Sequence, residues 1–198
     1  MDKEVTVVLA GSYNPPHKGH LAMLTYLSER YGQVIAVIGM NPSKKYAVSP
    51  AQRADLLQQM IDKCIVKGDN TRSTGTNVRV EVVSGYIWRF AMKNHAKILF
   101  RGIRTWEKDG VEETILHKQN LYGPMLLGPL KWPLKTYFLE GVPEYRHVSS
   151  TTIRALCEKN RRPYHENNTV TSTDGDYTFL DQYIPNLMTA EVAKLYGH

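Results

Sequence analysis

Five short apolar segments, separated by longer amphipathic ones, constrain the fold of this chain more than any other feature of its sequence. They comprise residues 5–10, 34–39, 78–83, 97–101 and 134–139. Val, Ile and Leu are frequent in them, and most do not alternate regularly between apolar and polar residues. Runs of this kind are typical of strands that are buried on both faces of a parallel sheet. We therefore expect five strands in one sheet.

Helical patterns occupy the intervals between these strands and follow the last one. They comprise residues 20–31, 50–66, 86–95 and 106–121, and further patterns around 179–183 and 187–196. The second has a defined start, because Ser49 suits an N-cap and Pro50 the first helical position. The alternation predicts an α/β fold: a Rossmann-like, doubly wound, parallel five-stranded sheet with helices on both faces and a C-terminal helical extension. Such sheets bind ligands at the carboxyl ends of their strands.

Length and composition favour one globular domain over residues 1–198. The chain is 42% hydrophobic and 22% charged, which is ordinary for a folded domain. Three polar or turn-rich segments are predicted to be insertions, near residues 67–77, 122–133 and 160–177.

The net charge of the chain indicates which partners it could bind, and its cysteines indicate the cellular compartment. The net charge of +6 and the pI of about 9.2 favour a polyanionic partner, whether nucleic acid, nucleotide or phosphorylated metabolite. The two cysteines, Cys64 and Cys157, form no ligand spacing, which favours a reducing, cytoplasmic location. No apolar stretch approaches the roughly 20 residues that a membrane span needs, so no membrane association is expected.

The strongest local motif follows the first strand and precedes the first helix. Residues 11–20 read G-S-Y-N-P-P-H-K-G-H. Gly11 lets the backbone turn tightly beside a ligand, and the helix start offers free N–H groups to an anion. His17 and His20, three residues apart, lie on one face of the helix start and can donate hydrogen bonds to phosphate oxygens. On its own, H-x-G-H is also consistent with a surface turn that carries two solvated histidines.

A second motif precedes a late helical segment. Residues 148–154 read V-S-S-T-T-I-R, and hydroxyls with exposed N–H groups at a helix start form a cradle for phosphate. Alone, this run is simply a good N-cap. Together with the first motif, it resembles the paired signatures of the nucleotidyltransferase superfamily, whose members attack the α-phosphorus of a nucleoside triphosphate and release pyrophosphate.

Three further segments make the resemblance more specific. They read N-P-S-K-K at 41–45, S-P-A-Q-R at 49–53 and F-R-G-I-R at 100–104. With both signatures, this set resembles the phosphopantetheine adenylyltransferase family. The resemblance implies transfer of the adenylyl group of ATP to 4′-phosphopantetheine, which gives dephospho-coenzyme A, a coenzyme A precursor, and pyrophosphate.

The resemblance also implies roles for individual residues. His20 would stabilise the transition state at the α-phosphate, and Lys44 and Arg101 would be catalytic by binding the acceptor phosphate. Acceptor contacts are expected at Ser12, Lys44, Ile87 and Arg101. ATP contacts are expected at Ser12, Tyr13, His17, His20, Gly102, Ile103, Arg104, Glu113, Tyr145, Arg146, His147, Val148, Ser149, Ser150 and Thr151. Glu112 is the alternative to Glu113, because the interval after Arg104 is one residue longer than is usual in the family.

Cofactor and partner expectations follow from the same resemblance. Mg²⁺ is expected on the ATP phosphates, with no metal ligand from a protein side chain. A homo-oligomer and inhibition by coenzyme A are further expectations, and nucleic acid is not an expected partner. Because the insertions near 122–133 and 160–177 have no counterpart in the short bacterial members, the hexamer usual for those members is not predicted here.

Three alternative functions remain open from the sequence. Nicotinamide or nicotinate mononucleotide adenylyltransferases carry similar N-P-P-H-x-G-H and S-S-T-x-I-R runs, but do not share P-S-K-K and R-G-I-R in this form. A cytidylyltransferase fits the S-S-T-T-I run and fits the middle of the chain poorly. A non-catalytic nucleotide- or RNA-binding module would use the positive charge and Arg161-Arg162.

Overall fold

The computed structural model of the chain describes residues 2–40, 46–65, 76–103, 114, 118, 122–123, 134–160 and 177–197. The strands in these residues are β1 Asp2–Gly11, β2 Tyr31–Met40, β3 Val78–Ser84, β4 Ile98–Ile103 and β5 Lys135–Glu140. They form one parallel sheet in the order β3-β2-β1-β4-β5. The five predicted strands are confirmed. The chain order reverses between β1 and β4, which is the position where sheets of this type bind ligands.

Five α-helices of the described part of the chain have defined bounds. They are α1 Lys18–Arg30, α2 Pro50–Cys64, α3 Ile87–Lys93, α4 Ser150–Lys159 and α5 Thr189–Tyr196. The predicted start of α2 is confirmed by a capping box, in which the Ser49 hydroxyl accepts from the Gln52 N–H and the Gln52 side chain accepts from the Ser49 N–H.

Some predicted helix boundaries are wrong. The pattern around 179–183 forms only a 3₁₀ turn, Thr178–Leu180, and α5 begins at residue 189 after a second 3₁₀ turn, Asn186–Met188. Pro185 lies between these turns and cannot donate a backbone hydrogen bond to continue a helix. The predicted helix 106–121 and the three predicted insertions lie mostly outside the described residues, although Thr114 and Lys118 are helical.

Alternate residues of the central strand β1 pack against helices on opposite faces of the sheet. Val7 and Leu9 lie in one buried cluster with Leu24 of α1 and Leu57 of α2. Val8 and Ala10, the intervening residues of β1, lie in a second cluster with Trp88 and Ala91 of α3. This arrangement explains why the central strands read as continuous apolar runs, and it confirms the doubly wound fold.

The C-terminal segment, residues 177–197, packs on the helical layer rather than on the sheet. Met188 and Val192 are fully buried in a third cluster with Met60 of α2 and Ile153 of α4. The segment, which includes α5, thus packs against α2 and α4 on one side of the molecule. Within the described ranges, no helix is long and apolar enough to cross a bilayer.

Candidate active site

The loop between β1 and α1, residues 12–17, lies at the point where the strand order reverses. Ala10 pairs with Arg101 of β4, so the carboxyl ends of the two central strands are side by side. Nη1 of Arg101 donates to the Ala10 carbonyl at 3.2 Å. The first motif and the R-G-I-R segment are therefore brought together by the register of the sheet.

Tyr13 sets the path of this loop. Its backbone has a φ of 45°, in the left-handed region, and its side chain is buried. The hydroxyl donates to the Leu9 carbonyl at 3.0 Å, and the ring fills the space above Gly11. A Cβ on Gly11 would lie 2.9 Å from that ring, so the close approach requires glycine. The Tyr13 ring is 4.8 Å from the His20 ring, centroid to centroid.

His17 and His20 form a stacked pair at the start of α1. Their ring centroids are 3.7 Å apart, and His17 is the N-cap of the helix. Burial lowers the pKa of His20 to about 4. Burial, with repulsion from His20, holds the pKa of His17 well below its usual value. Both imidazoles are therefore neutral near pH 7, and each can still donate one N–H hydrogen bond.

Carbonyl oxygens of the loop are hydrogen-bonded from two helices. Nη1 of Arg53, a fully buried side chain in the first turn of α2, donates to the Ser12 carbonyl at 2.6 Å. The Ser150 hydroxyl donates to the Pro15 carbonyl at 2.8 Å, and Arg154 donates to the carbonyl of Asn14. These bonds place the loop against the first turns of α2 and α4.

The second motif supplies the helix start that faces the first. Ser149 is the N-cap of α4, and its hydroxyl accepts from the Thr152 N–H at 3.1 Å. The first-turn N–H groups of α4 are a favourable site for a phosphate. A Cβ on Gly19 would be 3.6 Å from Cβ of Tyr145, so the 3₁₀ turn Pro143–Tyr145 adjoins α1.

The remaining residues of this segment have different surroundings. Val148 is buried, and the His147 ring lies 6.1 Å from the Tyr183 ring. Arg146 forms an exposed salt bridge with Glu140 at 3.1 Å, a pair that contributes little to stability. Thr151 accepts a hydrogen bond from Arg154 at 3.1 Å.

The end of β4 and the start of α3 contribute the other described candidates. Gly102 lies against Met23 of α1, whose Sδ would be 2.8 Å from a Cβ at that position, and Ile103 is buried. Ile87 begins α3, and its Cδ1 would be 3.3 Å from a Cβ on Gly39. Ile87 is thus at the carboxyl end of β2. Lys44, Arg104, Glu113 and the alternative Glu112 lie outside the described residues.

Sequence reasoning missed the residues that hold the loop. Arg53 and Arg154 each stand at the end of a motif, and a basic residue in the first turn or two of a helix beside a ligand loop is a signal that could have identified them. Tyr196 also contacts the loop, through Asn14, and no local sequence pattern marks it. Among the described residues, no group of three or more His, Cys, Asp or Glu side chains could hold a metal ion.

Comparison with known proteins places this fold and site in a class. Residues 8–156 match the family model described as Cytidylyltransferase-like. Among solved structures, the chain is similar to the nicotinic acid mononucleotide adenylyltransferase of Plasmodium falciparum complexed with NaAD. That match has a TM-score of 0.57 and 12% identity, and covers 96% of this chain and 95% of that one. The protein is a nucleotidyltransferase of the cytidylyltransferase-like family.

Curated relatives make the assignment more specific. The chain is 33% identical over 151 residues to the phosphopantetheine adenylyltransferase of Haemophilus ducreyi, covering 76% of this chain and 82% of that protein. It is 25% identical over 191 residues to the phosphopantetheine adenylyltransferase of Heliobacterium modesticaldum, covering 96% of this chain and 92% of that one. The chain belongs to the phosphopantetheine adenylyltransferase family.

Proposed function

We propose that this protein transfers the adenylyl group of ATP to 4′-phosphopantetheine and releases pyrophosphate, with dephospho-coenzyme A as the second product. The observation that carries the proposal is the stacked His17–His20 pair, held beside the first turn of α4 by the bond from Ser150 to Pro15. This arrangement supplies neutral donors and a helix N-terminus to a phosphate chain. The similarity to phosphopantetheine adenylyltransferases supports the choice of acceptor.

In the proposed reaction, an oxygen of the acceptor phosphate attacks the α-phosphorus of ATP. The bond from that phosphorus to the bridging oxygen breaks, and pyrophosphate leaves with the electron pair. No covalent enzyme intermediate is needed, because positioning and charge stabilisation supply the catalysis. We propose that the N–H of His20 donates to the α-phosphate as charge shifts there, and that Arg101 and Lys44 neutralise the acceptor phosphate.

The same proposal assigns the ATP contacts. Ser149, Ser150 and Thr151 would bind phosphate through the start of α4, and Arg104 would hold the leaving pyrophosphate. Tyr13 would contribute through its backbone, because its hydroxyl already donates to Leu9. Further ATP contacts are proposed at Ser12, His17, Gly102, Ile103, Glu113, Tyr145, Arg146, His147 and Val148. Ser12 and Ile87 would also contact the acceptor.

Mg²⁺ fits this site as a companion of the nucleotide. We propose that the triphosphate itself holds the ion, since the described donors around the loop are imidazoles, hydroxyls and guanidinium groups rather than a cluster of carboxylates. The ion would supply charge neutralisation on the phosphates. The protein groups would bind and orient the same phosphates.

The cellular setting is also a proposal. The free thiols of Cys64 and Cys157 support a reducing, cytoplasmic location. We propose a homo-oligomer that coenzyme A inhibits and that has no nucleic-acid partner. Sedimentation and inhibition by added coenzyme A test these points.

The decisive experiment measures pyrophosphate release from Mg·ATP with several acceptors side by side. We expect rapid turnover with 4′-phosphopantetheine and little with nicotinamide mononucleotide, nicotinate mononucleotide or glycerol 3-phosphate. Better turnover of either mononucleotide would show that the acceptor is wrong while the reaction class is right. No release with any acceptor, together with steeply salt-dependent binding of random RNA, would favour the non-catalytic module.

A further inference from the structure

The C-terminal segment, residues 177–197, forms hydrogen bonds with the loop 12–17 and with Lys18, the first residue of α1. The Lys18 backbone N–H donates to the Tyr183 carbonyl at 2.9 Å, and Nζ of Lys18 donates to the Asp181 carbonyl at 2.6 Å. The Tyr196 hydroxyl donates to Oδ1 of Asn14 at 2.8 Å, across 182 residues of sequence. Residues on both sides of His17 are therefore bonded to this segment.

Asn14 occupies a central place in the loop. It is 7% exposed and lies between Tyr13, whose ring packs against His20, and Pro15, whose carbonyl accepts from Ser150. Its own carbonyl accepts from Arg154. Because an amide oxygen only accepts, the Tyr196 hydroxyl is the donor and fixes the orientation of the Asn14 amide. The backbone and the side chain of Asn14 are thus held by different helices.

We propose that Tyr196 is a positioning residue for adenylyl transfer, whose hydroxyl holds Asn14 and thereby the loop that leads to His17 and to His20 in the first turn of α1. The expected effect of Tyr196 on the reaction rate rests on the proposed function. Its expected effect on the positions of the two histidines rests on geometry alone. Catalytic groups must be held within a fraction of an ångström, since a displacement of about 1 Å can cost on the order of a hundredfold in rate. Tyr196 itself does not touch the reacting atoms.

The packing of the segment does not depend on this hydroxyl. Ile184, Met188 and Val192 are fully buried in the third cluster, and the Tyr196 ring packs partly against the same cluster. A phenylalanine at 196 keeps the ring and removes only the donor to Asn14. Burial also raises the pKa of Tyr196, so the hydroxyl remains a donor at every pH at which the protein is assayed.

The test compares Tyr196→Phe with Tyr177→Phe, which removes a hydroxyl from the same segment. The described contact of Tyr177 is its backbone carbonyl, which accepts from Leu180 and is retained in the variant. For Tyr196→Phe we expect kcat for pyrophosphate release to fall about three- to tenfold, as expected for loss of one neutral hydrogen bond, with KM for ATP within about twofold of wild type. Tyr177→Phe should match wild type in both.

Two further measurements separate positioning from general destabilisation. Combining Tyr196→Phe with Asn14→Ala should cost no more than Asn14→Ala alone, because both changes remove the same bond. In the ligand-free protein, imidazole NMR signals of His17 and His20 should shift in Tyr196→Phe, with the pKa of His20 closer to its usual value, and stay unchanged in Tyr177→Phe.

The outcomes distinguish this inference from the proposed function. Unchanged kcat and unchanged imidazole signals in a folded Tyr196→Phe would overturn the positioning role. Equal losses in kcat and ATP affinity would overturn it as well, since they indicate a binding role. If wild type adenylylates no acceptor, the proposed function fails, and the NMR comparison still decides whether Tyr196 positions the histidines.

Discussion

At the scale of single residues, the protonation of the two histidines determines how they can act. Their stacking, and the Tyr13 ring beside them, remove the imidazoles from water, so the neutral form is favoured. His17 is 7% exposed, whereas His20 as a whole residue is only partly buried. We therefore expect His20 to be the donor to the ligand, with the His17 ring stacked against it.

The first prediction concerns this division of roles. In His20→Ala, we expect kcat to fall on the order of 10²- to 10³-fold, because a donor that strengthens in the transition state contributes to rate. KM for ATP should change only a few-fold. In His17→Ala, we expect a smaller decrease in kcat. Steady-state pyrophosphate release, with circular dichroism to verify folding, is the measurement. A folded His20→Ala enzyme with near-normal kcat would contradict the mechanism.

The second prediction follows from the lowered pKa of His20, about 4. Between its unfolded value of about 6.5 and this folded value, the unfolded chain binds more protons, so acidification favours unfolding. His20 should thus lower the free energy of unfolding by about 2 kcal/mol between pH 7 and pH 5. Urea denaturation at both pH values should show a smaller difference in His20→Gln than in wild type. If wild type and His20→Gln lose the same free energy of unfolding between pH 7 and pH 5, the pKa of His20 is not lowered by folding.

Among the secondary structure elements, two helices have N-caps that stabilise the helix start and lie beside the candidate active site. Ser149 caps α4, whose first turn carries the second motif, and Ser49 caps α2, whose first turn carries Arg53. Both serines satisfy N–H groups that the helix itself leaves unpaired. Since Arg53 donates to Ser12 and Ser150 donates to Pro15, the two capped turns determine where the loop lies.

The third prediction is that Ser49→Ala lowers the free energy of unfolding by about 1 kcal/mol, because it removes the hydroxyl of the capping box. Gln59→Ala, on the exposed side of the same helix, should change it by less than about 0.5 kcal/mol. Urea denaturation measures the free energy of unfolding of both variants, and we expect their m-values to equal that of wild type. Equal effects of the two changes would show that the cap is not contributing.

At the scale of the whole molecule, one layer of packing connects the C-terminal segment to the site. The third cluster joins α5 to α2 and α4, the two helices whose first turns bond to the loop. We therefore expect the core of the sheet and the residues that support the loop to unfold as one unit. A loss of packing in this cluster should destabilise the entire domain.

The fourth prediction tests that coupling. Met188→Ala removes a fully buried side chain and should lower the free energy of unfolding by about 2 to 5 kcal/mol. The neighbouring Leu187→Ala, where the side chain is 66% exposed, should change it by less than about 0.5 kcal/mol. Scanning calorimetry should show one cooperative transition in each variant. Two separated transitions in Met188→Ala would mean that the C-terminal segment unfolds independently.

Local sequence patterns were sufficient to predict the secondary structure elements and the two motifs. Apolar runs and helical periodicity are local patterns, so all five strands, and the capped start of α2 at Ser49, could be predicted. The doubly wound class followed from the order of these elements. The boundaries of the helices were less well predicted, as the 3₁₀ turn Thr178–Leu180 shows. Local periodicity does not distinguish a single turn from a longer helix.

Which residues meet at the loop depends on how distant segments pack against one another. Arg53 contacts Ser12 across 41 residues, and Tyr196 contacts Asn14 across 182, and neither pairing leaves a periodic or compositional trace in the sequence. The lowered pKa of His20 likewise depends on burial by rings that the fold brings together. Hydrophobic periodicity reports how each segment buries its own face, whereas contacts between distant segments arise only when those faces pack in three dimensions.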